Sequence, residues 1–209
     1  MTDFLQKAAY QYVTDLHGPE GARGLDWLAG RMIDAKTSEA GEFGLGYVLN
    51  PLPGHEAYRG CIAIPYIRAD GVVVKIRFRP IAANATVKYL DVAGASPRPY
   101  NVRALTQYSP FVCITEGEFD AVAAGLSGLP AVGIPGVELW SSSWARLFRQ
   151  YRTVFMLQDG DDAGEKLART IARDVPQLRP VRMGETKHDD VNQLFITQGR
   201  DAVRAKIGL

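Results

Sequence analysis

The stretch YRTVFMLQDGDDAGEKLART, residues 151–170, decides the fold, because an apolar run of strand length turns into a helical pattern across a cluster of acids. A continuous apolar run is typical of a strand whose two faces are both covered. Three aspartates then occur within four positions, the last of them as the first residue of the segment DAGEKLARTIARDV. The stretch therefore predicts a strand–turn–helix unit that carries negative charge at the carboxyl end of the strand.

Asp159 and Asp161 are the two acids of this turn that raise a chemical question. In an extended backbone, side chains two positions apart project to the same side, and Gly160 between them allows close approach of the backbone. Two neighbouring carboxylates repel each other unless a proton or a cation such as Mg²⁺ offsets their charge. A structural alternative stays open: a solvated turn in which Asp162 and Glu165 have the spacing of an N-cap and its reciprocal partner.

Two further oxygen-rich clusters follow strand-like runs. Glu116 comes directly after FVCIT, and Asp120 lies in the first turn of the helical segment behind it. In GETKHDDVNQLF, residues 184–195, Asp190 and Asn192 follow the candidate strand PVRM. Sites in parallel sheets form where the carboxyl ends of the strands meet. We therefore expect the three clusters to converge at one edge of a sheet.

The order of elements divides the chain into two domains. Residues 106–209 alternate short apolar runs with helical segments, among them SSWARLFRQ and VNQLFITQGRDAVRAKI, which predicts an α/β domain with a mostly parallel sheet flanked by helices. Residues 1–105 begin with the helical pattern FLQKAAYQYVTDL and continue with CIAIPYI and VVVKIRFRP around the turn signal in RADG. They predict a smaller, mixed α+β domain with antiparallel strands.

The strand VVVKIRFRP carries Lys75, Arg77 and Arg79 at alternate positions, which places the three cations on one face of the strand. Two interpretations stay open: the solvent face of an ordinary hairpin, or a strip that binds phosphate groups. Tyr89 is interpreted as a core residue or a base-stacking ring. Trp27 and the other two tryptophans are interpreted as packing residues.

Several stretches resemble one family. ITEGEFDAVAA and LQDGDDAG are similar to the two signature motifs of the TOPRIM fold, and HDDVNQLF is similar to the acidic stretch that closes its metal site in primases. EFGLGY, RGCIAIPYIRADGVVVKIRFRP and VKYLDVAGASPRPYNVRAL resemble the domain that precedes TOPRIM in bacterial primases. The chain is thereby identified as resembling the catalytic core of a DnaG-type DNA primase, and a phage source is expected.

The resemblance implies RNA primer synthesis on single-stranded DNA from ribonucleoside triphosphates, with Mg²⁺ or Mn²⁺ as cofactor and no zinc. It implies that the catalytic metal-binding carboxylates are Glu116, Asp159 and Asp161. The supporting metal ligands would be Asp120, Asp190 and Asn192. The family usually has an aspartate where Asn192 stands, so one metal position is expected to be weaker. If the strand carries a phosphate-binding strip, the nucleotide and DNA contacts would be Lys75, Arg77, Arg79 and Lys88, and the resemblance favours Arg79 and Lys88 among them.

The rest of the chain limits the alternatives. Cys61 and Cys113 lack metal-ligand spacing, which indicates buried reduced thiols and a cytoplasmic protein. The sequence shows no membrane-spanning apolar run and no signal-peptide pattern, so neither a membrane span nor a secreted protein is expected. We expect a zinc-binding module and a replicative helicase, where used, to be separate partners. Two other functions stay open: a TOPRIM nuclease, or a non-catalytic nucleic-acid-binding protein of a replication complex.

Overall fold

The computed structural model describes residues 2–186 and 188–209, which form two compact units. The first unit ends at Ser96 and the second is Pro97–Leu209. In the described part of the chain, no helix combines the length and the apolar character needed to span a membrane.

The unit boundary precedes the predicted domain boundary after residue 105. Tyr100 forms an antiparallel bridge with Gly133, and the side-chain amide of Asn101 donates to the Ala131 carbonyl at 2.9 Å. These bonds tie the connecting segment to the second unit.

The first unit packs helices on a four-stranded antiparallel sheet. Its helices are α1 (Thr2–His17), α2 (Ala22–Ala29) and α3 (Ser38–Gly41), with a 3₁₀ turn at Glu56–Tyr58. Its strands, in the sheet order β1-β2-β3-β4, are β1 (Gly46–Tyr47), β2 (Cys61–Ile67), β3 (Val73–Pro80) and β4 (Leu90–Asp91).

Two sequence patterns account for α1 and for the β2–β3 hairpin of this unit. The helical period of α1 puts Ala8, Tyr12 and Leu16 in the core with no exposed surface, whereas Phe4 at the helix start keeps 37% exposure. The predicted hairpin is confirmed as β2 and β3, and Gly71 in its turn has a φ of 83° that favours glycine.

His55 lies in an aromatic part of this core. Its Nδ1 is 2.8 Å from the Tyr12 hydroxyl, which also accepts the Leu52 N–H at 3.2 Å. The rings of Phe4 and Phe78 both lie 5.2 Å from the His55 ring, edge to face. Burial lowers the pKa of His55 below its ordinary 6.5, although the charge of Glu56 acts in the opposite direction.

We expect this histidine to make the protein less stable in mild acid. The unfolded chain takes up a proton on His55 near its ordinary pKa, while the folded chain takes it up only at lower pH. The contribution is therefore complete above about pH 6.5 and is lost as the pH falls below that value. Urea unfolding of wild type and His55→Gln at about pH 8 and about pH 5 measures it. An equal acid loss of stability in both proteins would contradict the assignment.

The second unit is an α/β domain with a parallel sheet, as predicted. Its strands, in the sheet order β6-β5-β7-β8, are β5 (Phe111–Thr115), β6 (Ala131–Gly133), β7 (Thr153–Gln158) and β8 (Leu178–Arg182), and all three pairings are parallel. Its helices are α4 (Glu118–Leu126), α5 (Asp162–Ala172) and α6 (Val191–Ala205). The 3₁₀ turns are Val102–Thr106, Val137–Leu139 and Ser142–Phe148.

Two predicted helices of this unit differ from expectation. The segment SSWARLFRQ forms a 3₁₀ helix, Ser142–Phe148. Its aromatic side chains, Trp144 and Phe148, pack in the hydrophobic core of the second unit. The last helix is interrupted at Gly199, where φ is 83° and ψ is −176°, because glycine tolerates a conformation outside the helical range. The thiols of Cys61 and Cys113 are free and buried, as predicted.

Candidate functional site

Glu116 and Asp159 follow the two central strands of the parallel sheet, β5 and β7, which pair from Phe111 with Thr153 to Thr115 with Leu157. The Asp159 N–H donates to Oε1 of Glu116 at 2.8 Å. Gly164 lies so close that a Cβ there would stand 2.3 Å from the same oxygen. The predicted meeting of these two strand ends is therefore observed, and a backbone hydrogen bond holds it.

Asp161 is the N-cap of α5. Its backbone is extended, with φ −123° and ψ 174°, and its Oδ1 accepts the Gly164 N–H at 2.9 Å. The alternative that made Asp162 the cap is wrong by one position, because Asp162 is already the first helical residue. Glu165 pairs with Arg169 one turn later and not with the cap.

The third cluster is tied to the first turn of α4. Oδ1 of Asp120 accepts the Asn192 N–H at 3.1 Å, and Asn192 itself is buried, with 3% exposure. Asp190 is the N-cap of α6 and accepts the Gln193 N–H at 2.6 Å. Asp120, Asp190 and Asn192 thus lie around one helix start.

Asp159 lies among the carboxylates of the other acidic residues. Its pKa is raised to about 9, first by burial and then by four neighbouring charges, those of Asp120, Glu116, Asp190 and Asp161. Its Oδ1 is buried and has no hydrogen-bond partner among the described residues. The site therefore concentrates more negative charge than its own hydrogen bonds offset, which suits a proton or a cation.

The acids are not a preformed coordination sphere. Among residues 2–186 and 188–209, no three His, Cys, Asp or Glu side chains are arranged so that they hold a metal ion. Asp161 and Asp190, for example, each direct an oxygen at a backbone N–H of the following helix. The all-oxygen donor set and the unpartnered oxygen of Asp159 nevertheless fit a hard divalent cation. Side-chain rotation would have to bring further oxygens onto it.

Gly160 brings the aspartate turn against the loop after β8. Its N–H donates to the Asp189 carbonyl at 3.2 Å, and its carbonyl accepts from Nη2 of Arg182 at 3.3 Å. A Cβ at this position would stand 2.1 Å from the Thr186 carbonyl oxygen. The close backbone approach expected at Gly160 is therefore present, whereas no sequence signal pointed to Arg182.

The three cations of the predicted strip and Lys88, the fourth predicted contact, have different surroundings. Lys75 is buried, with 7% exposure, and its Nζ lies 2.7 Å from Oδ1 of Asp91. Nε of Arg77 lies 3.3 Å from the other oxygen of Asp91. Arg79 is half-buried, and Lys88 is exposed in the segment before β4. Strand period alone did not reveal that Asp91 offsets the charge of Lys75.

The Asp91 ion pair gives a stability prediction. Asp91→Asn leaves the buried ammonium of Lys75 without its carboxylate, so we expect a loss of about 2 kcal/mol in the free energy of unfolding. Asp70→Asn, which removes an exposed surface pair with Arg68, is the matched control and should cost less than about 1 kcal/mol. Urea unfolding at neutral pH measures both, and equal losses would contradict the burial argument.

A family model and one curated relative match this chain. Residues 113–195 match the family described as Toprim-like. The Gene 57 protein of Mycobacterium phage D29 is 43% identical over 154 residues, which cover 72% of this chain and 99% of that protein. The Toprim-like match spans Glu116, the aspartate turn and the cluster before α6.

Solved primase structures share the fold. The RNA polymerase domain of Mycobacterium tuberculosis primase DnaG, in complex with double-stranded DNA, has a TM-score of 0.81 at 19% sequence identity, over 99% of this chain and 79% of that one. A DnaG primase catalytic domain bound to single-stranded DNA has a TM-score of 0.79 at 18% identity, over 99% and 77%. The expected fold, a TOPRIM sheet preceded by a primase-type domain, is confirmed.

Proposed function

Because the chain belongs to the family of the Gene 57 protein of Mycobacterium phage D29 and has the fold of a DnaG-type primase core with a TOPRIM domain, we propose that it synthesises RNA primers on single-stranded DNA. The reaction is nucleotidyl transfer: a 3′-hydroxyl attacks the α-phosphate of a ribonucleoside triphosphate and pyrophosphate leaves. The observation that carries the proposal is the convergence of four carboxylates on Asp159 at the carboxyl edge of the sheet.

The cofactor of this proposal is Mg²⁺ or Mn²⁺. Glu116, Asp159 and Asp161 would hold it, with support from Asp120, Asp190 and Asn192. A divalent cation bound there would supply positive charge beside the attacking and leaving oxygens. Asn192 offers an amide oxygen without charge, so the ligands near it would bind a cation more weakly than two aspartates would.

The protein's own part is to keep these groups in place. The Asp159 N–H fixes Glu116, the Gly164 N–H fixes Asp161, and the Asn192 N–H fixes Asp120. Three hydrogen bonds from the backbone thus restrain three carboxylates on elements that the sheet supports. Such restraint keeps the three carboxylates close to one another, so that only side-chain rotation is needed before their remaining oxygens can hold a cation.

DNA and nucleotide binding are the task of cationic side chains. Two of the similar primase structures hold double-stranded or single-stranded DNA. We propose single-stranded DNA as the template here, with Arg77, Arg79 and Lys88 as phosphate contacts. Lys75 contributes less, since its side chain is buried and paired with Asp91, whereas Arg77 keeps partial exposure beside the same carboxylate. A zinc-binding module and a replicative helicase would act as separate partners.

A TOPRIM nuclease is the second candidate, because the same acids can hold a cation for hydrolysis. The first unit favours primer synthesis, since the fold match to primase cores covers 99% of the chain and not the TOPRIM sheet alone. A nuclease needs the acids but has no need of this first unit.

Ribonucleotide incorporation tests the proposal. The purified protein is incubated with labelled ribonucleoside triphosphates, unlabelled single-stranded DNA and Mg²⁺ or Mn²⁺, and a parallel reaction carries label on the DNA. Short RNA products with intact template support the proposal. Metal-dependent cutting of the template without RNA products would replace it with the nuclease.

A further inference from the structure

Five side chains of the first unit form a continuous cluster of alternating guanidinium groups and aromatic rings, here called the arginine–aromatic cluster. The guanidinium carbon of Arg31 lies 4.3 Å from the centre of the Trp27 ring, and that of Arg79 lies 5.9 Å from it. The guanidinium carbon of Arg79 also lies 5.0 Å from the Tyr89 ring, and that of Arg77 lies 4.4 Å from the same ring. Two rings thereby connect three arginines.

The cluster joins residues that are distant in the sequence. Trp27 belongs to α2 and Arg31 follows it by one helical turn, whereas Arg77 and Arg79 are on β3 and Tyr89 precedes β4. The interpretation of Trp27 as a packing residue is therefore incomplete, because its ring contacts two cations. The spacing of Trp27 and Arg31, four residues apart, is a sequence signal for that pair alone.

Such a cluster has a chemical consequence for anion binding. A guanidinium group that stacks on an aromatic face keeps its N–H groups, which lie in its plane, available for bidentate contacts with phosphate. The ring restricts the rotamers of the arginine, so less freedom is lost when phosphate binds. Nε and Nη1 of Arg79 are buried and have no hydrogen-bond partner among the described residues, whereas the side chain as a whole is half-buried. The two rings thus hold a guanidinium group that keeps two donors without a protein acceptor, and its contact with phosphate would come from the part that stays exposed.

We propose that Trp27 is a positioning residue for phosphate binding, which holds the guanidinium groups of Arg31 and Arg79 where they contact the backbone of single-stranded DNA. The proposal rests on the proposed function only for the identity of the ligand. The role depends on the aromatic face of Trp27, which a side chain that only fills the same space would lack. Tyr89 has the equivalent position between Arg79 and Arg77.

Salt dependence of DNA binding tests this role. The affinity for a labelled oligodeoxythymidylate of about 16 nucleotides is measured by fluorescence anisotropy at several NaCl concentrations. Each phosphate contact contributes about 0.7 to the slope of log affinity against log salt for single strands. We expect Trp27→Leu to lower the slope by about 0.7 to 1.4 and to weaken binding about tenfold at low salt. Trp27→Tyr, which keeps an aromatic face, should stay close to wild type.

The control is Arg23→Ala, which removes one exposed arginine of α2 outside the cluster. It should change the slope by less than about 0.7, the value of one phosphate contact. A double-mutant cycle separates positioning from bulk. In a protein that already carries Arg31→Ala and Arg79→Ala, the further change Trp27→Leu should have no effect on DNA binding. Circular dichroism melting establishes that each variant is folded.

Three results would overturn the proposal: a folded Trp27→Leu protein with the wild-type slope, an equal effect of Trp27→Leu with and without the two arginines, or a wild-type protein that does not bind the oligonucleotide. If Trp27→Leu does not fold, incorporation of difluorotryptophan weakens the attraction between the ring and the arginines without changing the shape of the ring. Trp27→Tyr that carries difluorotryptophan at the other tryptophan positions is the control. An unchanged salt slope in the difluorotryptophan form of the wild-type sequence would also overturn the proposal. Failure of primer synthesis with the expected slopes would contradict only the proposed function.

Discussion

Replacement of Asp159 and Asp161 by asparagine is expected to lower primer synthesis by about 1,000-fold or more. Both side chains keep their size, but the site loses two of the charges that would hold a divalent cation, an effect worth several kcal/mol in the transition state. Neither change removes a buried apolar group. Initial rates of ribonucleotide incorporation on single-stranded DNA measure the loss.

The folded state should tolerate the change. Asp159 is buried and surrounded by like charges, which is why its pKa rises to about 9. An amide is neutral without taking up a proton, so the melting temperature of Asp159→Asn without metal should be no lower than that of wild type at neutral pH. Asp162→Asn is the matched control, because Asp162 is an exposed neighbour in the same turn and should retain activity within about threefold. Comparable losses in both variants would contradict the assignment.

Gly160→Ala is expected to have the next largest effect, a loss of about 100-fold in primer synthesis. The new Cβ would stand 2.1 Å from the Thr186 carbonyl oxygen and 3.0 Å from that of Gly184, so the backbone of the aspartate turn must move. A displacement of about 1 Å of catalytic groups can cost a factor of about 100.

Gly41→Ala is the control for Gly160→Ala. Gly41 closes α3, and a Cβ there meets nothing within 4 Å. We expect it to keep both activity and melting temperature. If Gly160→Ala retained wild-type activity, the tight contact between the two loops would not be needed for function.

The parallel sheet and the place of the acids were predictable from the sequence for one physical reason. Covered strands need continuous apolar runs, and the carboxyl ends of parallel strands meet at one edge. Glu116 after β5 and Asp159 after β7 follow directly from these two rules. The helical face of Tyr12 and Leu16 and the turn at Gly71 are equally local signals.

Details that depend on tertiary partners were not predictable. The cap of α5 is Asp161 and not Asp162, since the choice depends on where the first helical residue falls. The burial of Lys75 depends on Asp91, a residue of another strand. The contacts of Trp27 with Arg79 join a helix to a strand. Residue spacing within one element carries no information about such partners.

Binding of Mn²⁺ shows directly whether Asp159 and Asp161 hold a divalent cation, because it needs no template, no nucleotide and no partner protein. The electron paramagnetic resonance signal of free Mn²⁺ is followed while wild type or the Asp159→Asn and Asp161→Asn double variant is added. Wild type is expected to remove the signal of the free ion, and the double variant is expected to leave it unchanged. Equal binding by the two proteins would contradict the claim that these carboxylates form the metal site of a primase.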